Sequence, residues 1–301
     1  MTKEISKLGK ELRYVTQNIP QKIIQDLDKI KVADAKYTKT RNKYQALLII
    51  SSISIFASFF LMSIPILGAT VLTVAVIATC FFYYYSQKYA RLQIEPARYL
   101  LVKKLVYLLQ RDLSAKSYLN INLDFTTSII QSKLTSEDAH PLKPGWKLKI
   151  YQDPWLNIQG EFCDRTNFDL NITEHHRISS GWKRSRSGKR KHKRKHKFKG
   201  SEICLQLRYP AKKYGAIQVL QQDAMAAIKL PNYVEVKNFK LNNKFILLKV
   251  NLPPQFDYLK YHVGGLSDTQ KIDTSYETIT SIFLSLYQIL NLARTLSKVS
   301  K

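Results

Sequence analysis

Residues Ala46–Tyr85, ALLIISSISIFASFFLMSIPILGATVLTVAVIATCFFYYY, run for forty positions without an Asp, Glu, Lys, Arg or His. One membrane-crossing helix needs about 20 apolar residues to pass a hydrocarbon core of about 30 Å, so the run suffices for two. Pro65 and Gly68 lie near its midpoint and divide it into helices expected over 45–63 and 67–85, a transmembrane hairpin. It is too long for a signal peptide. Its Ser and Thr side chains can bond to their own helices, and it holds no charged group of the kind that lines an ion or solute path. It therefore reads as an anchor rather than a transporter or channel.

The flanks set an orientation. Lys31, Lys36, Lys39, Arg41 and Lys43 precede the first helix, Lys88, Arg91 and Arg98 follow the second, and the turn between them is uncharged. Basic residues beside a span stay on the cytoplasmic side, which predicts cytoplasmic termini. Tyr44, Tyr83, Tyr84, Tyr85 and Tyr89 would lie at one interface, where amphipathic rings settle. The compact organisation suggests a prokaryotic inner membrane.

Further out, Ile5, Leu8, Leu12, Val15 and Ile19, then Ile23, Ile24, Leu27 and Ile30 beyond Pro20, recur at three or four positions and predict two amphipathic helices within 1–44. Leu100, Leu101, Leu105, Leu108 and Leu109, behind Pro96, predict a cytoplasmic stalk helix within 87–117 that packs on them. From Tyr118 the period changes to two. Strands are expected near 119–125, 146–150, 156–163, 168–178, 202–209, 233–240 and 245–252, with helices over 212–228 and 274–299. The fold class is α+β: a two-helix transmembrane hairpin with flanking cytoplasmic helices, then a soluble domain over 118–301 whose largely antiparallel sheet is covered by a long C-terminal helix.

The chain carries 48 Lys and Arg against 22 Asp and Glu, a formal +26, which seeks polyanions. Eleven of these cations fall in one stretch without an acid: Lys183, Arg184, Arg186, Lys189, Arg190, Lys191, Lys193, Arg194, Lys195, Lys197 and Lys199. Their mutual repulsion predicts a disordered loop over 182–200 at a hairpin tip. These are the candidate polyanion-binding residues. Held beside a membrane, they would meet the lipid bilayer's anionic head groups, with nucleic acid or an acidic protein as the alternative partner.

Chemistry is sparse. The chain has no glycine-rich phosphate loop, Gly-x-Ser-x-Gly, His-Glu-x-x-His or Cys-x-x-Cys, and Cys80, Cys163 and Cys204 share no metal-ligand spacing. Asp153, Glu161, Asp164, Asp169, Glu174, His175 and His176 form the best acidic and histidine cluster, on and between the strands expected at 156–163 and 168–178. Pairing these through a five-residue loop would set Cys163 opposite Asp169, Glu161 opposite Asn171, and Asn157 opposite His175. A metal-dependent hydrolase or nuclease using Glu161, Asp164, Asp169 and His175 is the alternative reading. Ordinary solvent-facing strand residues give the same pattern, so no catalytic, metal or cofactor residue is assigned and no cofactor is expected. His192 and His196 are too crowded by cations for a metal pair. Asn171-Ile172-Thr173 should be unmodified on the cytoplasmic side. The expected function is non-enzymatic: a membrane-anchored protein that binds or scaffolds at an anionic surface.

Overall fold

The computed structural model describes residues 12–60, 65–114, 116–214, 217, 220, 223–254 and 268–299. It divides into two compact units, one of Gln25–Pro96 and one of Met1–Ile24 with Ala97–Lys301.

The smaller unit is a helical hairpin. Helix α1 runs unbroken from Pro20 to Phe60 and α2 from Pro65 to Arg91. Each opens on a proline, whose missing N–H costs nothing at a first helical position. The two are antiparallel: Ile94 N donates to Asp34 Oδ1 at 3.1 Å, Tyr44 stacks on Tyr85 and Tyr89 at 5.3 and 5.7 Å, and Thr79 Oγ1 donates to Ser51 Oγ at 3.0 Å. Ser52, Ser54, Thr70 and Thr73 donate to carbonyls four residues back, so their hydroxyls are satisfied without water. Both helices are long and apolar enough to cross a membrane. Ile53, Phe56, Val74 and Ile77 are each more than 60% exposed on their surfaces. The inter-helix turn at 61–64 lies outside the described residues.

In the larger unit, eight strands form one antiparallel sheet: β1 (Arg13–Asn18), β2 (Leu119–Asp124), β3 (Leu134–Ala139), β4 (Trp146–Glu161), β5 (Asn167–Arg184), β6 (Arg190–Arg208), β7 (Glu235–Leu241) and β8 (Phe245–Leu252). Their order is β1-β2-β4-β5-β6-β8-β7, with β3 on β4. Alternate residues form the buried face: Leu119, Ile121 and Leu123 on β2, Phe168, Leu170 and Ile172 on β5, Ile203, Leu205 and Leu207 on β6, and Ile246, Leu248 and Val250 on β8. Helix α3 (Pro96–Leu109) buries Leu101, Val102, Leu105 and Leu109. Helix α4 (Asp268–Val299) buries Ile279, Ile282, Leu286, Ile289 and Leu290, and Phe283 meets Phe168 edge-on at 6.0 Å. Each such side chain contributes about 1.5–3 kcal/mol through burial.

Several sequence expectations are corrected. Arg13–Asn18 is an edge strand rather than part of an amphipathic helix, and its Tyr14 and Thr16 are buried opposite Leu123 and Ile121 while Val15 is exposed. Leu12, Val15 and Ile19 fit a helical stripe by spacing alone, and the edge of the sheet imposes period two. Ile5 and Leu8 lie outside the described residues. The stalk over 87–117 is divided, because α2 stops at Arg91 and α3 belongs to the core of the larger unit. The two strands expected at 146–150 and 156–163 are one sixteen-residue strand with a bulge between Pro154 and Leu156. The described residues of 212–228 form turns and single 3-10 positions rather than a helix.

The basic segment is ordered as strand. Lys183 and Arg184 end β5, and Arg190 to Lys199 open β6. Arg184 pairs with Arg190, Trp182 with His192 and Ile178 with His196. The repulsion is real, but backbone pairing begun in the core at Asn167↔Arg208 carries outward through it.

Candidate polyanion-binding arm

The turn that reverses the arm is Ser185-Arg186-Ser187-Gly188-Lys189. Gly188 N donates to Ser185 O at 3.0 Å and Ser185 N to Lys189 O at 2.8 Å, with Gly188 at φ +80°. This is a three-residue hairpin loop with its last residue left-handed, a conformation glycine adopts without steric cost.

Because strand side chains alternate, the register sorts the cations into two faces. One face carries Lys191, Lys193, Lys195 and Lys197, opposite Lys183, Gly181, Ser179 and Arg177. Its lysines repeat about every 7 Å, a row of about 20 Å. The other carries Arg190, His192 and Arg194, opposite Arg184, Trp182 and Ser180. Trp182 is 64% exposed and meets the His192 ring edge-on at 5.5 Å. Arg186 and Lys189 sit in the turn, and Lys199 is at a bulge where Gly200 takes φ +102°. All eleven candidate cations are exposed. None takes part in an ion pair among the described residues. On the tryptophan face of the neighbouring strands, Glu137 is engaged by Lys149 at 2.9 Å and Lys147 at 3.2 Å, and those two ammonium groups hold its carboxyl below its usual range. Gly181 makes room for Trp146 on the lysine face: a Cβ there would stand 2.4 Å from Trp146 Cγ.

The arm is rooted in a buried charge network. The Arg98 guanidinium from α3 donates to Asp124 O at 2.7 Å, to Asp153 Oδ2 at 2.8 Å and to Glu174 Oε2 at 3.2 Å, and lies 5.1 Å from the Trp155 ring. Lys133 Nζ reaches Asp153 Oδ1 at 2.6 Å and Asp124 Oδ2 at 3.2 Å. His176 meets Glu174 Oε2 through Nε2 at 3.0 Å and His196 Nε2 through Nδ1 at 3.1 Å, which links the network to the arm. Asp153, Glu174 and His176 are fully buried, and Arg98 is 2% exposed. Arg98 is therefore not a membrane-flanking charge that sets topology, as its position after the apolar run suggested.

The acidic and histidine residues singled out in the sequence are dispersed. The β4–β5 loop is Phe162 to Thr166, two residues earlier than expected, so Asp169 pairs with Gln159 and Asn157 with Asn171, while Glu161 faces Asn167. Arg165, at φ +66°, and the Asp164 carboxylate, which accepts from Thr166 N at 2.9 Å, close that turn. Asp164 also accepts from Tyr214 Oη at 2.8 Å and borders a cavity of about 520 Å³ with Phe283 and Tyr287. Asp169 shares a surface depression with Glu161, but both its oxygens accept amide hydrogens from Asn157, Asn171 and Gln159. His175 is half-buried on the opposite face from Glu174 and His176, beside Glu202, and burial lowers its pKa. Glu161, Asp164, Asp169 and His175 thus do not converge. Among the described residues no group of three His, Cys, Asp or Glu side chains is placed to hold a metal ion.

No family model, curated protein or solved structure matches this chain.

Proposed function

We propose that this chain is a membrane-anchored binding protein, with both termini cytoplasmic at a prokaryotic inner membrane, whose α+β domain docks on anionic lipid head groups through the lysine face of the arm. The observation that carries the reading is the arm itself. Cations are ordered in rows with no acid between His175 and Ser201, and among the described residues none of them makes an ion pair. Flexible lysine ammonium groups suit a fluid array of head groups, since each acts as a point charge without fixed geometry. Near an anionic leaflet each contributes about 1 kcal/mol, so the four lysines of the row together contribute about 4 kcal/mol, close to a thousandfold. The uncharged run of the helical hairpin supports the anchor: its outward residues are mostly apolar, and its Ser and Thr side chains bond to the partner helix or to their own backbone.

The test uses the full chain reconstituted in vesicles, with an environment-sensitive dye on a cysteine placed at Ser187 after the native cysteines are replaced. Emission should shift in anionic vesicles, return with added salt, and fail to shift in zwitterionic vesicles or with Lys191, Lys193, Lys195 and Lys197 changed to Gln. Equal emission in both lipids would remove the arm from the account.

A further inference from the structure

We infer that the two faces of the arm serve different ligands, and that the face of Trp182, Arg184, Arg190 and Arg194 takes single-stranded nucleic acid. The inference rests on the lipid reading for the lysine face, because a planar bilayer can cover only one side of a ribbon and leaves the other open.

From 190 to 199 every odd position is Lys, and the even positions are Arg, His, Arg, His and Phe. An arm that needed only positive charge would have no reason to separate arginine from lysine. Register puts that division of β6 on opposite sides of the ribbon, with Arg177 of β5, opposite Lys197, the one arginine beside the lysine row. Arginine differs from lysine in presenting a planar fork that grips phosphate bidentately and stacks on rings, so the arginine side is built for fixed geometry.

Trp182 supplies the second element. Trp146 and Trp155 are 9% and 0% exposed, whereas Trp182 is 64% exposed. Among the described residues its one ring partner is His192, met edge-on. Arg184 and Arg190 face each other one step toward the tip, and Arg194 faces Ser180 one step toward the core. A step of two residues is about 7 Å and neighbouring strands are about 4.8 Å apart, so three guanidinium groups surround one open indole within the reach of a single nucleotide and its flanking phosphates. A base stacks on the ring while the phosphates meet the forks. A duplex offers the same phosphates but keeps its bases stacked on each other, so the ring selects an unpaired strand. Lys147 and Lys149, on the same face of β4, share the single carboxylate of Glu137, so this neighbouring strand adds a net charge of only about +1 beside the three guanidinium groups.

Full-length protein in zwitterionic nanodiscs would be titrated with labelled oligothymidylate, oligouridylate and a duplex, following anisotropy and Trp182 emission. Trp182→Ala should weaken single-strand binding about tenfold, while Trp182→Phe, which keeps a ring, retains most of it. Changing Arg184, Arg190 and Arg194 together to Lys should weaken it by a similar factor at unchanged charge. The duplex should bind less tightly and be indifferent to residue 182. Unchanged affinity in both Trp182→Ala and the lysine triple variant, or equal binding of duplex and single strand, overturns the inference, since charge alone would then suffice. A loss of anionic-vesicle docking in Trp182→Ala, with oligonucleotide binding intact, would assign this face to lipid and also overturn it. The four-lysine Gln variant separates the two readings: it should lose anionic-vesicle docking and keep the tenfold response to Trp182. If it keeps docking, the lipid reading fails while the Trp182 response still decides this one.

Discussion

Removing Arg98 would leave Asp153 and Glu174, both fully buried, without the cation that now bonds to each. Breaking a buried pair from one side costs about 3–5 kcal/mol, because the remaining charge keeps its desolvation cost and loses its partner. Arg98→Met should therefore lower the urea midpoint by that equivalent, read from the emission of the adjacent Trp155. Adding Glu174→Gln should restore part of the loss, and a cost below about 1 kcal/mol would show that Lys133 alone neutralises the site. Acid should act through other groups. Burial opposes ionisation of Glu202 and Asp164, yet hydrogen bonds from Lys249 and Lys237 to the first, and from Tyr214 and Thr166 to the second, outweigh it and hold both carboxyls below their usual values. Such carboxylates stabilise the fold fully above pH 4.5 and lose that contribution as pH falls through their lowered folded values. His175, whose pKa burial lowers below 6.5, adds a loss in the same direction: under pH 6.5 the unfolded chain takes up its proton first. Glu202→Gln should thus be less stable than the parent at pH 7, with the gap closing in acid; a gap independent of pH would mean the Lys249 and Lys237 bonds contribute nothing to folding.

The arm is the element where sequence and structure part most instructively. Its alternation of Lys with Arg, His and Phe is a period-two pattern as plain as that of Leu119, Ile121 and Leu123, but it is written in cations, whose mutual repulsion argues for an extended loop and masks the strand period. Ser185 to Gly188 carries the hairpin signal, with Gly188 at the left-handed position of the turn. The apolar hairpin, the C-terminal helix and five inner strands were legible because each repeats hydrophobic residues at its own period. Register was not: the Asp164 turn begins two residues early and shifts every β4–β5 pair. Nor was the buried network, since Arg98 and its partners lie 26 to 76 residues apart. Two glycines test the arm. Gly188→Ala meets no close atom but must hold φ +80°, which costs about 1–2 kcal/mol. Gly181→Ala would force the Trp146 ring off its seat, at about 1–3 kcal/mol. Amide exchange at Lys191 to Lys197 should quicken in both variants while exchange at Ile203 to Leu207 is unchanged; uniform acceleration would mean that the arm and the core open as one.

For the molecule as a whole, +26 is a stability cost, and eleven of its cations are gathered in one place. Lys183 stands opposite Lys191, Arg184 opposite Arg190, and Arg177 opposite Lys197. Like charges directly across strands destabilise by about 0.2–1 kcal/mol per pair, and the excess positive charge adds self-repulsion throughout the chain. Lysine on an open strand edge does hinder edge-to-edge association, and β8 leaves the edge of β6 from Arg190 to Lys199 uncovered. That purpose needs one or two charges, not a full row. Residues kept against stability are the ones a ligand uses. Changing Lys191, Lys193, Lys195 and Lys197 to Gln should therefore raise the thermal midpoint at low ionic strength, by the equivalent of about 1 kcal/mol. The gain should shrink as salt shortens the Debye length to about 8 Å, because screening already relieves the parent. The same variant should lose docking on anionic vesicles. A variant that is destabilised instead would make the lysine row part of the fold's support, and its alkyl stems, rather than its charges, would be the reason the row exists.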